Sequence, residues 1–225
     1  MRIRRLVLLT SSLPALQRFY LQALGFRGKL SAGDLCIRAG WTELHFHSCP
    51  EEVRPVYHFA FNIPPVTLIK ATAWLKLRTN LLPVNADGSA IADFKNWNAK
   101  SVYFFDPAGN ILEFIARYDL SDAAERQVFD AKQISCISEI GLVADNVDQL
   151  RRELHTRYGL SDYEKQPPGE NFAALGNAEG LFILSSKERH WYPTQIPAAA
   201  FPLEIEFEQN GKTHHLQSGI ARENG

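Results

Sequence analysis

The sequence predicts an α+β fold in which repeated βαβββ units form an open, cupped mixed sheet. Three observations point there. An order of strand, helix and short strands recurs along the chain. The strands alternate, apolar residues on one face and ionisable ones on the other. Pro, Gly and Asn stand where turns must separate them.

In the first unit, Ile3–Leu9 reads as a strand with Arg5, Val7 and Leu9 on one face and Leu6 and Leu8 on the other. Ser11-Ser12 before Leu13-Pro14 is a helix start, a hydroxyl cap with proline tolerated in the first turn. Leu16, Phe19, Tyr20 and Leu24 recur at helical spacing, and Gly25 sits where the helix should stop. Phe26–Leu30, Asp34–Ala39 and Trp41–His47 follow as short strands broken by Gly33 and Gly40.

The second unit opens with Tyr57–Ile63. Pro64-Pro65 leads a helix whose stripe is Val66, Ile69, Ala73 and Leu77, and Asn80–Val84 is a short strand. Asn85–Ala99 reads as a loop with a turn at Asp87-Gly88. The aromatic and β-branched run Val102–Phe105 suits a half-buried pleated surface. Asp106-Pro107-Ala108-Gly109-Asn110 breaks that run, and the chain re-enters a strand at Ile111–Ala116. Units one and two are expected to pair as one domain over residues 1–118 that holds the cavity; 119–133 is a polar helical connector.

Residues 134–225 read as a third unit. Ile137–Ala144 is its opening strand, Asp145 or Asn146 the cap, and Val147, Leu150, Leu154 and Tyr158 the stripe of a helix ended by Gly159. Strands are expected at Asn171–Leu175 and Gly180–Ser185, followed by an irregular stretch over Lys187–Ala200. Leu203–Glu208 and Lys212–Gln217 flank Asn210-Gly211, a strong hairpin signal, with Leu203, Ile205 and Phe207 inward. This unit should pack on the first domain or complete a cavity across a homodimer.

Composition excludes several classes. A chain of 225 residues with 45% hydrophobic and 22% charged content is an ordinary globular one. A formal net charge of −1 supplies no field for nucleic acid or an anionic membrane. No apolar run approaches the ~18 residues that span a bilayer. Cys36, Cys49 and Cys136 are odd in number and unpaired in spacing, which suits a reducing, cytoplasmic setting.

Glu113 is the anomaly: a carboxylate between apolar neighbours in a strand needs a cation, a donor or a metal. Alternation extends the point. Glu43, His45 and His47 oppose Leu44 and Phe46; His58, Ala60 and Asn62 oppose Phe59 and Phe61; Arg5 opposes Leu6 and Leu8. Rolled into a half-barrel, these groups would converge on one cavity. Phe94-Lys95-Asn96-Trp97 is a candidate lid, with Trp97 against the substrate, and Arg189-His190-Trp191-Tyr192 is either a binding loop or a structural corner. Glu139 matches Arg5 and His58 in position within its unit, but reads as a satisfied or exposed acid.

The run Val102-Tyr103, Asp106-Pro107, Gly109 and Glu113, closing a βαβββ unit, resembles the vicinal-oxygen-chelate superfamily: glyoxalase I, bleomycin-resistance proteins and, most closely, extradiol dioxygenases. The extradiol signature's upstream His is missing, since Phe94, Lys95 and Asn96 hold its places. The resemblance implies a small-molecule enzyme whose substrate carries vicinal oxygens. It implies metal ligands His58, Glu113 and one of Glu43 or His45, for Fe(II), Mn(II), Ni(II) or Zn(II). Tyr103 would orient substrate beside Glu113, and Arg5, Asn62 and Trp97 would contact it. Arg5 stands where extradiol enzymes carry a ligating His, so a metal-free pocket gripping an anion is the alternative. Ring cleavage of a catechol-type substrate is the leading expectation, with glyoxalase-like lyase or isomerase chemistry and metal-free, resistance-type binding as the alternatives.

Overall fold

The computed structural model describes residues 1–86, 88–120 and 128–219. Asp87 of the expected turn, and residues 121–127 of the expected connector, lie outside them. Two mixed sheets carry the fold. In the first unit β1 is Arg2–Thr10, α1 Leu13–Gln17, β2 Arg27–Ser31, β3 Asp34–Ala39 and β4 Thr42–Ser48. In the second β5 is His58–Ile63, α2 Leu68–Lys76, β6 Ile91–Phe94, β7 Ala99–Phe105 and β8 Ile111–Arg117. The third has β9 at Cys136–Ala144, α3 at Val147–Tyr158, β10 at Phe172–Asn177 and β11 at Gly180–Ser186, then the hairpin β12 (Leu203–Gln209) and β13 (Lys212–Ser218).

The units do not pair as expected. The first sheet runs β13-β12-β1-β4-β3-β2 and the second β10-β11-β9-β5-β8-β7-β6. Each opening strand leaves one edge to be covered. The C-terminal hairpin covers β1, antiparallel from Arg2↔Glu208 to Leu8↔Leu203. The third unit's β9 covers β5, with Ala60 opposite Glu139. Residues 1–118 are therefore split between sheets, and the second unit's partner is the third.

The core lies between the sheets. Ile3, Leu6, Leu8, Leu44, Phe46, Ile205 and Phe207 on one side, and Phe59, Phe61, Leu112, Phe114, Ile140 and Phe182 on the other, form one buried cluster with residues of all three helices. Phe182 meets Phe207 at 5.1 Å between ring centroids, and Phe26 meets Phe61 at 5.5 Å, so the contact is direct.

Smaller departures have local causes. Pro64-Pro65 opens a 3-10 turn at Pro65–Thr67, which shifts the phase of α2. Its buried residues are Leu68, Ala71, Thr72 and Leu75, while Val66, Ile69 and Leu77 of the expected stripe are exposed. Asn80–Val84 makes only a bridge, Leu81 to Phe104, and the pairing strand is β6, inside the expected loop. Ser12 stands at the N-cap of α1 without a side-chain capping bond, and the helix continues as π-helix over Arg18–Ala23. Asn146 does cap α3, accepting from Gln149 N at 2.8 Å, and Gly159 closes it at φ +63°.

Candidate functional site

The turn after β7 sets the site's register. Asp106 Oδ1 accepts from the backbone N–H of Ala108 at 2.9 Å and of Asn110 at 3.0 Å. Its Oδ2 accepts from Asn110 Nδ2 at 2.8 Å and from the Tyr20 hydroxyl at 3.0 Å. Gly109 supplies the left-handed residue, φ +88°. Asn110 Oδ1 in turn accepts from Tyr57 N at 2.9 Å, and Ile111 N donates to Tyr57 O at 2.8 Å. The start of β5 is thus tied to the start of β8, in parallel, with His58 beside Ile111 and Ala60 beside Glu113. Residues paired across a sheet share a face. One row therefore crosses the second sheet: Tyr103, Glu113, Ala60, Glu139 and Leu181. His58 lies one step up the same face.

His58, Glu113 and Glu139 bring one ligand atom each to within 4.8 Å of one another, and all three are buried. His58 Nε2 is 3.7 Å from Glu113 Oε2. His58 Nδ1 is 3.1 Å from the Ile111 carbonyl, which can only accept, so Nδ1 carries the proton and Nε2 presents its lone pair. Burial lowers the His58 pKa and keeps the ring neutral, against the opposing pull of Glu139. Burial also raises Glu113, partly offset by the Ser101 hydroxyl, Arg117 and the Tyr103 hydroxyl. Glu139 is pushed up to about 7, by burial first and then by the charge of Glu113, with Arg117 opposing. Arg117 makes a buried ion pair with Glu139, while its Nε and Nη1 have no hydrogen-bond partner among the described residues. Two carboxyl groups, both pushed toward the protonated form, thus face one guanidinium and a neutral imidazole.

A cavity of about 380 Å³ stands over this floor. Phe94 at the end of β6, Trp97 from the β6–β7 connection, Tyr103, Phe172, and Trp191 and Tyr192 from the loop before β12 make its walls, with Arg189 among them. Trp191 packs 5.2 Å from the His58 ring and against Gly141, where any Cβ would come within 2.5 Å of the indole.

The expected site residues divide. His58, Tyr103, Glu113 and Trp97 line this cavity. Asn62 is buried on the same strand but donates to the Ala178 carbonyl at 3.0 Å and stands outside the lining. Arg5, Glu43 and His45 belong to the first sheet, because β1 and β4 pair with each other and not with β5 or β8. Arg5 lines a separate hollow with Glu204, Glu206 and His215. Glu43 pairs with Arg38, and His45 Nδ1 lies 3.1 Å from Asp34. The group that stands with His58 and Glu113 is instead Glu139. It is satisfied, as expected of it, yet it lies in the pocket. Its signal was its place in the third opening strand. Arg117 was within reach too, since it continues the alternation of Glu113 and Ile115.

No family model and no curated protein matches the chain. Solved structures do. A presumed dioxygenase from Bacillus subtilis superposes with a TM-score of 0.58 at 17% identity, over 82% of this chain and 63% of that one. The chain thus spans less than two thirds of that protein. A glyoxalase/bleomycin resistance protein/dioxygenase from Nocardioides matches 56% of the chain and 89% of its own length at 23% identity, TM-score 0.42. A lactoylglutathione lyase from Agrobacterium tumefaciens matches 51% and 92% at 19% identity, TM-score 0.41. Repeated βαβββ units in two mixed sheets, and the superposition over 82% of the chain, show that the chain shares the fold of the Bacillus subtilis protein.

Proposed function

We propose that the protein is a metal-dependent enzyme acting on a small, largely apolar substrate that carries two adjacent oxygens. The observation behind this reading is the convergence of His58, Glu113 and Glu139 at the floor of an aromatic cavity. The residues suit a divalent ion of the Fe(II), Mn(II), Ni(II) or Zn(II) class: one neutral imidazole and two carboxyl groups. The hydrogen bond from His58 Nδ1 to Ile111 O is the outer contact that orients a ligating imidazole. Ala60 keeps the space between the carboxylates clear. When bound, such an ion supplies Lewis acidity to the substrate's oxygens.

The chain's own groups do the rest. Tyr103, with its hydroxyl pKa raised well above the ordinary value by burial and by Glu113, stays protonated and donates. The aromatic walls exclude water and favour a planar substrate body. Glu139, clamped by Arg117, is the carboxylate suited to take a proton from carbon and return it. The donor set also favours proton transfer, as in a lyase or isomerase, over ring cleavage, for which two imidazoles and one carboxylate are the pattern. Ring cleavage of a catechol is the second reading, and Tyr103 at the extradiol tyrosine's place supports it.

Metal analysis of untagged protein purified without added metal is the first test. A divalent ion should be present or readily taken up, and His58→Ala or Glu113→Gln should abolish its binding in the pocket. Solvent deuterium should then enter 2-hydroxy-carbonyl compounds at the hydroxyl-bearing carbon next to the carbonyl. Oxygen uptake with catechols would favour the second reading. Wild-type and His58→Ala proteins with equal affinity for divalent ions would sink both.

A further inference from the structure

The first sheet turns a face to solvent, away from the core, that carries its own converging ligands. Asp34 on β3 and His47 on β4 are paired across the sheet, and His45 lies two residues back on the same face. Asp34, His45 and His47 each bring a ligand atom within 4.8 Å of the others. His45 Nδ1 is 3.1 Å from both Asp34 carboxylate oxygens, and His47 Nε2 is 3.7 Å from Oδ1. Such spacings suit atoms that share one small cation at roughly 2.0–2.2 Å each.

The surroundings support a ligand role. His45 is largely buried, and its other nitrogen, Nε2, is inaccessible and without a hydrogen-bond partner among the described residues. Glu43 Oε2 lies 3.8 Å from Nε2, and Glu43 is itself held by Arg38. A carboxylate behind the distal nitrogen of a histidine is the usual outer partner of a metal-bound imidazole. Asp34 and His47 are partly exposed, which leaves the remaining coordination positions to water.

We infer that Asp34, His45 and His47 form a second, surface metal site for a borderline divalent ion of the Zn(II), Cu(II) or Ni(II) class, separate from the pocket. Glu43, 3.8 Å from Nε2, would close on that nitrogen when His45 ligates and does not itself ligate. The site stands apart from His58, Glu113 and Glu139, so neither proposal depends on the other.

The test is zinc stoichiometry and affinity by equilibrium dialysis of untagged protein. Wild type should bind two ions per chain. His45→Ala, and independently the near-isosteric Asp34→Asn, should each remove one ion or weaken it at least tenfold, while the pocket ion remains and reports that the fold is intact. His58→Ala should do the reverse. A single ion lost with His45→Ala but kept with His58→Ala would support this site and sink the pocket. Zinc binding unchanged in both His45→Ala and Asp34→Asn would overturn the inference.

Discussion

At the scale of single residues, the floor of the pocket depends on how little Ala60 fills. It is fully buried between Glu113 and Glu139, and its one methyl leaves the two carboxylates facing open space. Ala60→Val adds two methyl groups there. Overpacking should cost about 1–3 kcal/mol in urea denaturation, with the fold retained. Divalent-ion affinity in the pocket should fall at least tenfold in a competition titration with a chromogenic chelator, and unchanged affinity would mean that the ion does not sit between the carboxylates. Much of this was legible in the sequence. Glu113 stood out because a carboxylate inside an apolar strand demands a partner, and strand alternation put His58 on a cavity face. Arg117 escaped because the strand was expected to end at Ala116, one residue short. Glu139 was placed correctly within its unit, but a single strand does not reveal which strand it will lie beside.

At the scale of elements, α3 is pinned to the chain that leads into β10 by a charged clamp. Arg151 Nε and Nη2 each donate to Asp162 at 2.7 Å, one to each oxygen, and His155 Nε2 stands 3.1 Å from Oδ1. The Arg151 hydrogen bonds, more than His155, hold the Asp162 pKa below its ordinary value. A depressed carboxylate binds fewer protons folded than unfolded, so its contribution exists above the unfolded pKa of about 3.9 and is lost as pH falls through the folded one. Asp162→Asn should therefore lower stability by roughly 1 kcal/mol at pH 7, given the partial exposure, and by progressively less as pH falls below the unfolded pKa. Denaturant midpoints of the two proteins across that range check it; a gap that widens in acid would refute it. The helix itself was legible from its Asn146 cap, its stripe and Gly159. The buried face of α2 was not, because a 3-10 turn after two prolines changes the phase by a residue or two, which spacing alone does not disclose.

At the scale of the whole molecule, the sequence showed three units and a closing hairpin but not their pairing. Periodicity within a strand says which face is buried; which edge meets which is decided by long-range register. The outcome couples the C-terminal hairpin to the first unit, and through the shared core to the pocket on the other sheet. Phe207 stands at that junction. It is fully buried, and its ring meets Phe182 of β11 at 5.1 Å and Tyr158 of α3 at 5.3 Å. Phe207→Ala should cost about 3–5 kcal/mol, through lost burial and the cavity left behind. Because one apolar cluster serves both sheets, the loss should be global. Native-state hydrogen exchange reads this directly. Slow amides in Arg2–Thr10 of the first sheet and in Cys136–Ala144 of the second should lose protection by the same amount in the variant. If the second sheet kept its wild-type protection while the first lost its own, the sheets would be separate folding units, and the pocket would owe nothing to the hairpin that closes the chain.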